Sequence, residues 1–459
     1  MPKDLKSFLS QIEKDYPGEF LRVSRVVDPN QHEVSAVLEH LDRKGECPIV
    51  FFQRPLALNG QVSQFPLVYN VFGPRERCAT AINFPREQSK MPLSIEFARR
   101  EKQRIKPQVI RKGEAPVKEV VVRDVDLTIL PMACYHEMDV GPYLVMTCIM
   151  KDPETGVYDV SFCKNLFLGP RRLTASITGP HLTRIHEAYE ALGRRAPIAI
   201  VLGHHPAFYL GACAITDFLS EDYETIGAFL EEPLRLVPSE TWGEDFLVPA
   251  DAEVIIEGEI PPGEREWMNP FGEISRTYQA RALRPVVEVK AMTHRREAIM
   301  QGIFPGHEEH FNLGGIPKEG SLYNRLKEID PGVKAVHFPH SGSSRMICYI
   351  SMKKKQEGQA KRVALYPISF WGHQVQLSVV VDEDIDVFNE EEVIWSIVMN
   401  CRPSRDFEII KNVRSMHAFN EKIAIDATRP LDVEVEPKSS VPKSALDKVV
   451  LSEWIEGYE

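Results

Sequence analysis

Two segments near the N-terminus carry apolar side chains every three to four positions, a spacing that predicts amphipathic helices. The positions are Leu5, Phe8, Leu9 and Ile12 in the first segment and Val34, Val37, Leu38 and Leu41 in the second. A continuous apolar run from Cys47 to Phe52 predicts a buried strand. Residues 100–117 are charged and poor in apolar side chains, which indicates a boundary after an N-terminal α/β region of residues 1–105.

The middle of the chain, residues 118–305, is dominated by short β-branched runs between Gly, Pro and Asp turns, which predict strands. These runs cover residues 119–122, 143–149, 157–162, 198–202, 252–260 and 286–292. Two helices are predicted among them. One runs over 180–192, with proline at its start and Gly193 after its end, and the other covers about 222–230.

The last stretch, residues 315–459, alternates between the two patterns. Strands are predicted at 336–340, 346–352, 362–366 and 376–381. A helix is predicted after Asn389, because a capping asparagine and three glutamates suit a helix N-terminus. The predicted fold class is therefore mixed α/β, with an alternating C-terminal region.

Composition excludes several classes of function. The chain has 459 residues, 43% of them hydrophobic and 26% charged, which is ordinary for a globular protein. A net charge of −11 argues against nucleic-acid binding. The N-terminus lacks a signal-peptide core and no apolar run is long enough to span a bilayer. Eight scattered cysteines without a C-x-x-C pair are typical of reduced thiols, so we expect a soluble, cytoplasmic protein.

A hard-ligand metal site is the first candidate for chemistry. On a strand, Asp159, Ser161 and Cys163 share one face. His181 lies in the first turn of a predicted helix, where backbone N–H groups favour an anion, and Glu224 begins a later helix. Such an O/N/O set suits Mn²⁺, Mg²⁺ or Fe²⁺. By spacing alone, a surface carboxylate and a capping histidine explain the same residues.

A second candidate is Glu273, which follows a Pro-Phe-Gly turn. A rigid turn would position this carboxylate for general acid/base chemistry, although an ordinary exposed glutamate fits the same pattern. The segment His307-Glu308-Glu309-His310 has its histidines three apart and is therefore not the H-E-x-x-H zinc motif. Its glycine-rich surroundings predict a loop.

Taken together and in this order, a set of segments resembles the UbiD family of prenylated-FMN-dependent decarboxylases. The resemblance covers about residues 5–435. It is carried by 122–127 (VRDVDL) with Leu130-Pro131, 173–181, 203–207 (GHHPA), 248–253 (VPADAE) with Glu257-Gly258, 270–273 (PFGE), 360–363 (AKRV) and 422–427 (KIAIDA).

The resemblance implies a split β-barrel that binds prenylated FMN over residues 118–305. It also implies a linking helix and a C-terminal α/β domain used in oligomerisation. The family's metal triad of Asn, His and Glu falls on Asp159, His181 and Glu224, with Mn²⁺ as the usual ion. A K⁺ site would fall near Val160, Cys213, Ala214, Thr216 and Glu224. Cofactor contacts are implied for Asp159, Ser161, Lys164, Pro180, His181, Glu224, Ile274 and Lys422.

The family's catalytic Glu–Arg–Glu set maps onto Met268, Lys164 and Glu273. Glu273 is thus the implied proton donor, with a pKa raised by a dry pocket. Lys164 keeps the charge of the arginine but loses its bidentate fork, and Met268 removes the first carboxylate. We expect Lys164 to be free for an anionic substrate group, and Ser176 and Thr178 to line the pocket.

The implied function is reversible decarboxylation of an aromatic or α,β-unsaturated acid, through a cofactor–substrate adduct that Glu273 protonates. The implied partners are a flavin prenyltransferase that supplies the cofactor and further copies of the chain, as a dimer or hexamer. Two alternatives stay open. The changes at Lys164 and Met268 favour a non-catalytic or partner-dependent subunit of a carboxylase. Asp159, His181 and Glu224 could also serve a hydrolase without flavin.

Overall fold

The fold comprises an N-terminal α/β region, a closed β-barrel and a C-terminal α/β region. It was obtained as a computed structural model, which describes residues 3–370, 374–415, 420–436 and 438–457. The mixed α/β class predicted from the pattern of apolar residues is confirmed, as is the barrel that the family resemblance implied.

The N-terminal region packs helices on a small mixed sheet. Asp4 caps the first helix by accepting from the Ser7 N–H at 2.8 Å, and both predicted amphipathic helices form with their apolar faces buried. The sheet order is β1-β2-β3, and a strand from the end of the barrel region joins its edge. The elements are α1 (Leu5–Asp15), β1 (Phe20–Val27), α2 (Glu33–Asp42), β2 (Ile49–Pro55), β3 (Leu67–Tyr69), α3 (Arg75–Ala81), α4 (Met91–Arg100) and β4 (Gln108–Val109).

The middle region supplies the strands and helices of the barrel. Its strands are β5 (Val120–Val122), β6 (Tyr143–Lys151), β7 (Tyr158–Gly169), β8 (Arg172–Thr174), β9 (Ala196–Leu202), β10 (Arg235–Ser239), β11 (Gly243–Pro249), β12 (Val254–Ile260), β13 (Arg265–Met268), β14 (Ala282–His294) and β15 (Met300–Gln301). Its helices are α5 (Pro180–Ala191), α6 (Pro206–Ala212) and α7 (Asp222–Leu230).

Six of these strands close on themselves. The order is β12-β9-β6-β7-β8-β14, and β14 pairs back onto β12. Closure removes the exposed sheet edges and fills the interior with β-branched side chains. The long strand β7 crosses the barrel beside β6, with Lys164 opposite Val145. The Glu273 loop leaves β13, which pairs with β14.

A long helix leads from the barrel into the C-terminal sheet, whose order is β16-β17-β18-β20-β19. The elements are α8 (Glu308–Ile329), β16 (Val333–His337), β17 (Ile347–Met352), α9 (Gln359–Phe370), β18 (Leu377–Asp382), α10 (Glu390–Asn400), α11 (Pro403–Asp406), β19 (Phe407–Lys411), β20 (Glu421–Asp426), α12 (Lys443–Leu446) and α13 (Leu451–Trp454).

Three predictions from the sequence are wrong. Residues 362–366 lie within α9 and form no strand, because Ala360, Val363, Ala364, Pro367 and Ile368 bury one helical face. The segment 307–310 is no loop, since α8 starts at Glu308. The predicted strand over 336–340 is also misplaced, because β16 ends at His337 and a 3₁₀ turn follows at 340–342.

Helix α8 escaped prediction because its sequence contains glycines and a proline. At Gly320 the reason is steric: an added Cβ would lie 1.9 Å from the backbone oxygen of Ser94 on α4. Close packing between these two helices therefore requires glycine, in spite of its low helix propensity. In the part of the chain that the structure describes, no helix is both long and apolar enough to cross a bilayer.

Candidate active site

A cavity of about 320 Å³ is lined by three of the polar residues that the sequence singled out, namely Ser161, Lys164 and Thr178. Its lining includes Ser161 and Lys164 of β7, Pro180 of α5, and residues His310 and Arg345, which lie beyond the barrel. The cavity therefore lies where the barrel meets α8 and the C-terminal region.

Lys164 and Glu273 form an ion pair at this cavity between the Lys164 Nζ and the Glu273 Oε1. Burial raises the pKa of Glu273, but the neighbouring Lys164 ammonium outweighs burial and the net pKa lies below its usual value. Two expectations are thereby corrected. Glu273 is ionised rather than poised near neutrality, and Lys164 is engaged by Glu273 rather than free.

The Glu273 loop is held by hydrogen bonds on both sides. The Gly272 N–H donates to Asp139 Oδ1 at 3.0 Å, and the Glu273 N–H donates to the Thr277 carbonyl at 3.0 Å. The Ile274 N–H donates to the Glu273 carboxylate at 3.2 Å. The predicted turn thus presents its carboxylate from a rigid support, as general acid/base chemistry requires.

The N-terminus of α5 faces the same cavity. Gly179 and Pro180 line it, and no side chain caps the first turn of this helix, so its backbone N–H groups remain available to an anion. Ser161 lies close by, because a Cβ added at Gly179 would contact its Oγ at 3.4 Å. This end of α5 fits the phosphate of a nucleotide.

Two of the three predicted metal ligands lie side by side. The His181 Nδ1 lies 3.6 Å from the Asp159 Oδ2, and the Ser161 hydroxyl donates to the Asp159 Oδ1 at 2.7 Å. A further carboxylate, Asp222, accepts the Val160 N–H at 2.9 Å. Burial and then the nearby Asp159 charge raise the pKa of Asp222 well above its usual value, so this acidic pair favours a cation.

Glu224 is half-buried on α7, and its carbonyl accepts from the Ile105 N–H at 3.0 Å. Among the described residues, the His, Cys, Asp and Glu groups whose ligand atoms lie within 4.8 Å of one another are Glu39, Asp42 and His307. The ligand atoms of Asp159, His181 and Glu224 therefore do not all lie within 4.8 Å of one another.

Lys422 lies on β20 with a buried side chain that donates to the Val375 carbonyl at 2.6 Å. Burial lowers its pKa. Val375 follows Gln374, which lines the cavity, so Lys422 lies behind that wall. Met268 is buried, and its sulfur accepts from the Thr174 hydroxyl at 3.1 Å.

Of the two expected wall residues, Thr178 lines the cavity. Ser176 does not belong to the lining. It is buried one strand away, where its N–H donates to the Lys164 carbonyl at 2.9 Å.

Three polar groups at the cavity were missed from the sequence, namely His310, Lys318 and Arg345. The Gly306 N–H donates to the His310 Nδ1 at 3.3 Å, so a neutral ring carries its proton on Nε2. Burial lowers the pKa of His310 to about 3, which keeps the ring neutral. The Lys318 ammonium donates to the carbonyl of Gly314, a lining residue, at 2.8 Å.

Arg345 is a half-buried cation at the edge of the cavity, and the charge of Glu273 acts on it without a direct ion pair. Its Nε is buried and lacks a hydrogen-bond partner, and within the described residues no carboxylate forms an ion pair with its guanidinium. Its Nε has an unmet hydrogen bond, so an anion that enters the cavity would be drawn to this guanidinium.

Family models match nearly the whole chain in three consecutive blocks. They are the N-terminal domain of 3-octaprenyl-4-hydroxybenzoate carboxy-lyase at residues 13–90, its Rift-related domain at 108–308 and its C-terminal domain at 311–427. The chain belongs to the UbiD family. The relatives described below are decarboxylases and UbiD-class enzymes, so this chain is an enzyme of the carboxy-lyase type.

One relative is a phenolic acid decarboxylase of Sedimentibacter hydroxybenzoicus, with 30% identity over 95% of this chain and 94% of the relative. Another is an anhydromevalonate phosphate decarboxylase of Methanothermobacter thermautotrophicus, with 32% identity over 67% and 74% of the two chains. These UbiD enzymes have different acids in their names, so family membership leaves the substrate open.

Solved UbiD-class structures share the fold over full length. The enzyme HmfF from Pelotomaculum thermopropionicum in complex with FMN has a TM-score of 0.89 and 34% identity, covering 98% of this chain and 100% of that one. An evolved dimeric form of HmfF in complex with prFMN has a TM-score of 0.87 and 36% identity, at the same coverage.

Proposed function

We propose that this UbiD enzyme uses prenylated FMN to decarboxylate, reversibly, an aromatic or α,β-unsaturated acid that carries a second anionic group. The observation that carries the proposal is the content of one cavity. Lys164 and Glu273 form an ion pair there, whereas Arg345 makes no ion pair with any carboxylate of the described residues and its Nε lacks a hydrogen bond. Lys164 and Glu273 would act on the carboxylate that leaves as CO₂, and Arg345 would bind a second anionic group of the substrate.

Prenylated FMN fits the polar groups at the α5 end of the cavity. The uncapped first turn of α5 and the Ser161 hydroxyl would hold its phosphate, beside Pro180. Ile274 lies beside the lining residue Gly314, and Lys422 bonds to Val375, which follows the lining residue Gln374. Support comes from the HmfF relative that was crystallised with prFMN. The flavin prenyltransferase that makes this cofactor is the supplier we propose.

A divalent cation, Mn²⁺ by its preference for oxygen and imidazole ligands, would bind Asp159 and His181, with Glu224 as the third ligand. The approach of the His181 Nδ1 to 3.6 Å from the Asp159 Oδ2 supports this site, and the raised pKa of Asp222 beside Asp159 agrees with it. The aspartate at 159 brings a full negative charge. A K⁺ ion near Cys213 and Thr216 would then be optional.

When bound, the prenylated flavin supplies an electron sink for the pair that CO₂ leaves behind. The chain's own residues do the rest. Lys164 holds Glu273 in place and neutralises charge next to the departing carboxylate. Glu273 delivers a proton to the vacated carbon, and a water-poor cavity strengthens both interactions.

The second anion of the substrate would bind to Arg345, aided by the Nε2–H of His310 and by Lys318. A charge-assisted hydrogen bond of this kind contributes about 1.5–3 kcal/mol, or roughly 10- to 150-fold in affinity. A buried guanidinium also rejects monoanions indirectly, because it stays unpaired when they bind.

The enzyme would act as a homo-oligomer in the cytoplasm. Helix α10 exposes Ile394, Val398 and Met399, with Val398 73% exposed, and such a patch is typical of a covered surface. A dimeric form of a relative supports this state. Light scattering of wild type against Val398→Asp, with Glu391→Gln as control, tests the assembly.

All eight cysteines are free, which fits a reducing compartment such as the cytoplasm.

The decisive experiment is an assay of holoenzyme, co-expressed with a flavin prenyltransferase, on matched pairs of acids. Suitable pairs are cinnamate with 4-carboxycinnamate and benzoate with benzene-1,4-dicarboxylate. CO₂ release and exchange of ¹³C-bicarbonate should favour the dianion of each pair by about tenfold or more in kcat/KM.

The matched variants are Arg345→Gln and, on the outer surface of the barrel, Arg172→Gln. Only the first should abolish the preference for dianions. Flavin binding without turnover of any acid would refute the proposed reaction and favour the subunit alternative. Turnover with equal kcat/KM for both members of each pair would refute only the claim that the substrate carries a second anionic group, and would leave the decarboxylation itself supported.

A further inference from the structure

A second cavity, of about 290 Å³, lies on the other side of the Glu273 loop. Its lining includes Glu273 itself, His136, His307, Glu39 and Asp42. Glu273 thus borders this cavity while its carboxylate pairs with Lys164 of the substrate cavity. The volume has room for about ten water molecules at roughly 30 Å³ each.

Decarboxylation needs a supply of protons at this position. The substrate loses CO₂, the electron pair of the broken C–C bond ends in a new C–H bond, and the carbon takes one proton per turnover. Glu273 rests as a carboxylate beside Lys164, so it must receive that proton from elsewhere before it can give it away.

His136 lies against the backbone that carries Glu273. A Cβ added at Gly272 would lie 2.3 Å from the His136 Nδ1, and this atom is buried without a hydrogen-bond partner. The Asp139 Oδ2, at 3.8 Å from it, already accepts the N–H groups of Tyr135 and His136. The Nδ1 is thus covered by the Gly272 backbone, whereas the His136 ring as a whole lines the cavity together with Glu273 and can exchange a proton with water there.

A stack of rings connects His136 to the protein surface. The Phe304 ring lies between His136 and His307, at centroid distances of 5.6 Å and 3.7 Å. The His307 nitrogens lie 3.4 Å from a Glu39 carboxylate oxygen and 3.3 Å from one of Asp42. Both carboxylates are exposed to solvent by more than a third of their side chains.

We propose that this second cavity is the proton entry of the enzyme, with His136 as the relay residue that reprotonates Glu273 through water. Glu39, Asp42 and His307 form its mouth. Arg276 and Tyr278 also face the cavity, and Arg276 is fixed by its bond to the Gly306 carbonyl at 3.3 Å. The inference rests on the proposed decarboxylase function. It assigns a role to His136, a residue that does not line the substrate cavity.

The test compares His136→Gln holoenzyme with wild type on 4-carboxycinnamate, in H₂O and in D₂O. The relay predicts a fall in kcat of about tenfold or more, a larger solvent isotope effect, and an unchanged flavin spectrum. Added imidazole should restore much of the rate, because the cavity can admit it. His186→Gln is the control, since His186 is a buried histidine that lines neither cavity.

If His136→Gln does not fold, Asp42→Asn at the exposed mouth is the second variant, and it should raise the isotope effect by a smaller factor. An unchanged kcat and isotope effect in both variants would overturn the relay. A change in KM alone would also overturn it, since the cavity would then be a substrate entrance. Absence of wild-type turnover would refute the proposed function and the relay with it.

Discussion

The ammonium of Lys164 on β7 is ion-paired with the carboxylate of Glu273, which a loop after β13 presents from the opposite side. The family resemblance implies a set of three charged groups here and assigns the position of the first glutamate to the apolar Met268. The remaining two groups neutralise each other and form a complete acid–base unit.

Replacing Lys164 by Met should therefore change the proton chemistry more than the fold. Burial would raise the pKa of Glu273 once the ammonium is gone. We expect turnover to fall by about 10²-fold or more, with the optimum of kcat moved to higher pH. A pH–rate profile of holoenzyme measures both effects.

Lys290→Met is the matched control, because that lysine lies on the barrel exterior with ion pairs to surface glutamates. Wild-type turnover in Lys164→Met would remove the ion pair from the mechanism. Loss of bound flavin in that variant would instead assign Lys164 to cofactor binding.

Asp159→Ala should release the divalent ion and, with it, most of the flavin. The reason is the acidic pair: without the Asp159 charge, a cation loses one ligand and Asp222 loses its like-charged neighbour. Metal content by mass spectrometry and flavin absorbance of the purified holoenzyme measure the outcome. Asp124→Ala, at a fully exposed aspartate, should leave both values unchanged.

Asp159→Asn restores the side chain that the family uses and keeps an oxygen ligand. It should retain the metal with weaker binding and a stronger requirement for K⁺. Equal metal content in wild type and in Asp159→Ala would exclude this residue as a ligand.

The preference for a dianion should decline as the pH rises through neutrality. Burial and the neighbouring Arg345 lower the pKa of Lys318 to about 7. The lysine is charged below that pH and neutral above it, so attraction for the second anion weakens on the alkaline side. KM for 4-carboxycinnamate should therefore rise between pH 6 and pH 8, values chosen as about one unit either side of that pKa.

Lys318→Met should remove that pH dependence and keep the weaker, alkaline value of KM throughout. Cinnamate serves as the internal control, because it lacks the second carboxylate. A pH dependence that persists in Lys318→Met would assign the titration to another group.

A buried ion pair ties the N-terminal region to α8. The Arg75 guanidinium lies 2.8 Å from the Glu319 carboxylate, which also accepts from Ser94 and contacts the His337 ring at 2.7 Å. Burial alone would raise the pKa of Glu319, but Arg75 and His337 outweigh it and lower that pKa strongly. Glu319→Gln should thus cost about 3–5 kcal/mol of unfolding free energy at pH 7.

The sign of the pH effect follows from the lowered pKa. The contribution of Glu319 is fully present above its unfolded pKa of about 4.3 and is lost as the pH falls towards the folded value. Urea unfolding at several pH values should show the gap between wild type and Glu319→Gln narrowing below about pH 4. The exposed Glu328→Gln is the control, and a gap that is constant with pH would contradict the linkage.

The residue pattern predicted the strands of the barrel well because they are β-branched and bounded by turns, whereas their closure into a barrel was implied by the family resemblance alone. The pattern failed where tertiary contacts override local preference. Helix α8 holds Gly314, Gly315 and Gly320, and a close contact with α4 explains the last of these. Residues 362–366 are a short apolar run that fits either element, and the burial of one face decides for helix.

The residues of the candidate site fall into those that the sequence could place and those that depend on tertiary packing. Asp159, Ser161 and Lys164 share one strand, and Glu273 follows a marked turn, so their positions could be inferred from residues close in sequence. The pairing of Lys164 with Glu273, and the approach of Arg345 and His310 to them, depend on how distant elements pack. A helical reading of the segment around His310 was the one signal that could have revealed part of this set.

The walls of the substrate cavity come from two parts of the fold. Lys164 belongs to the barrel, whereas Arg345 lies before β17 and Lys318 of α8 is bonded to the lining residue Gly314. A substrate with an anion at each end would bind to both parts at once. Loss of CO₂ removes one of these anions, so the product would bind to only one part and would connect the barrel to the C-terminal region less firmly than the substrate did.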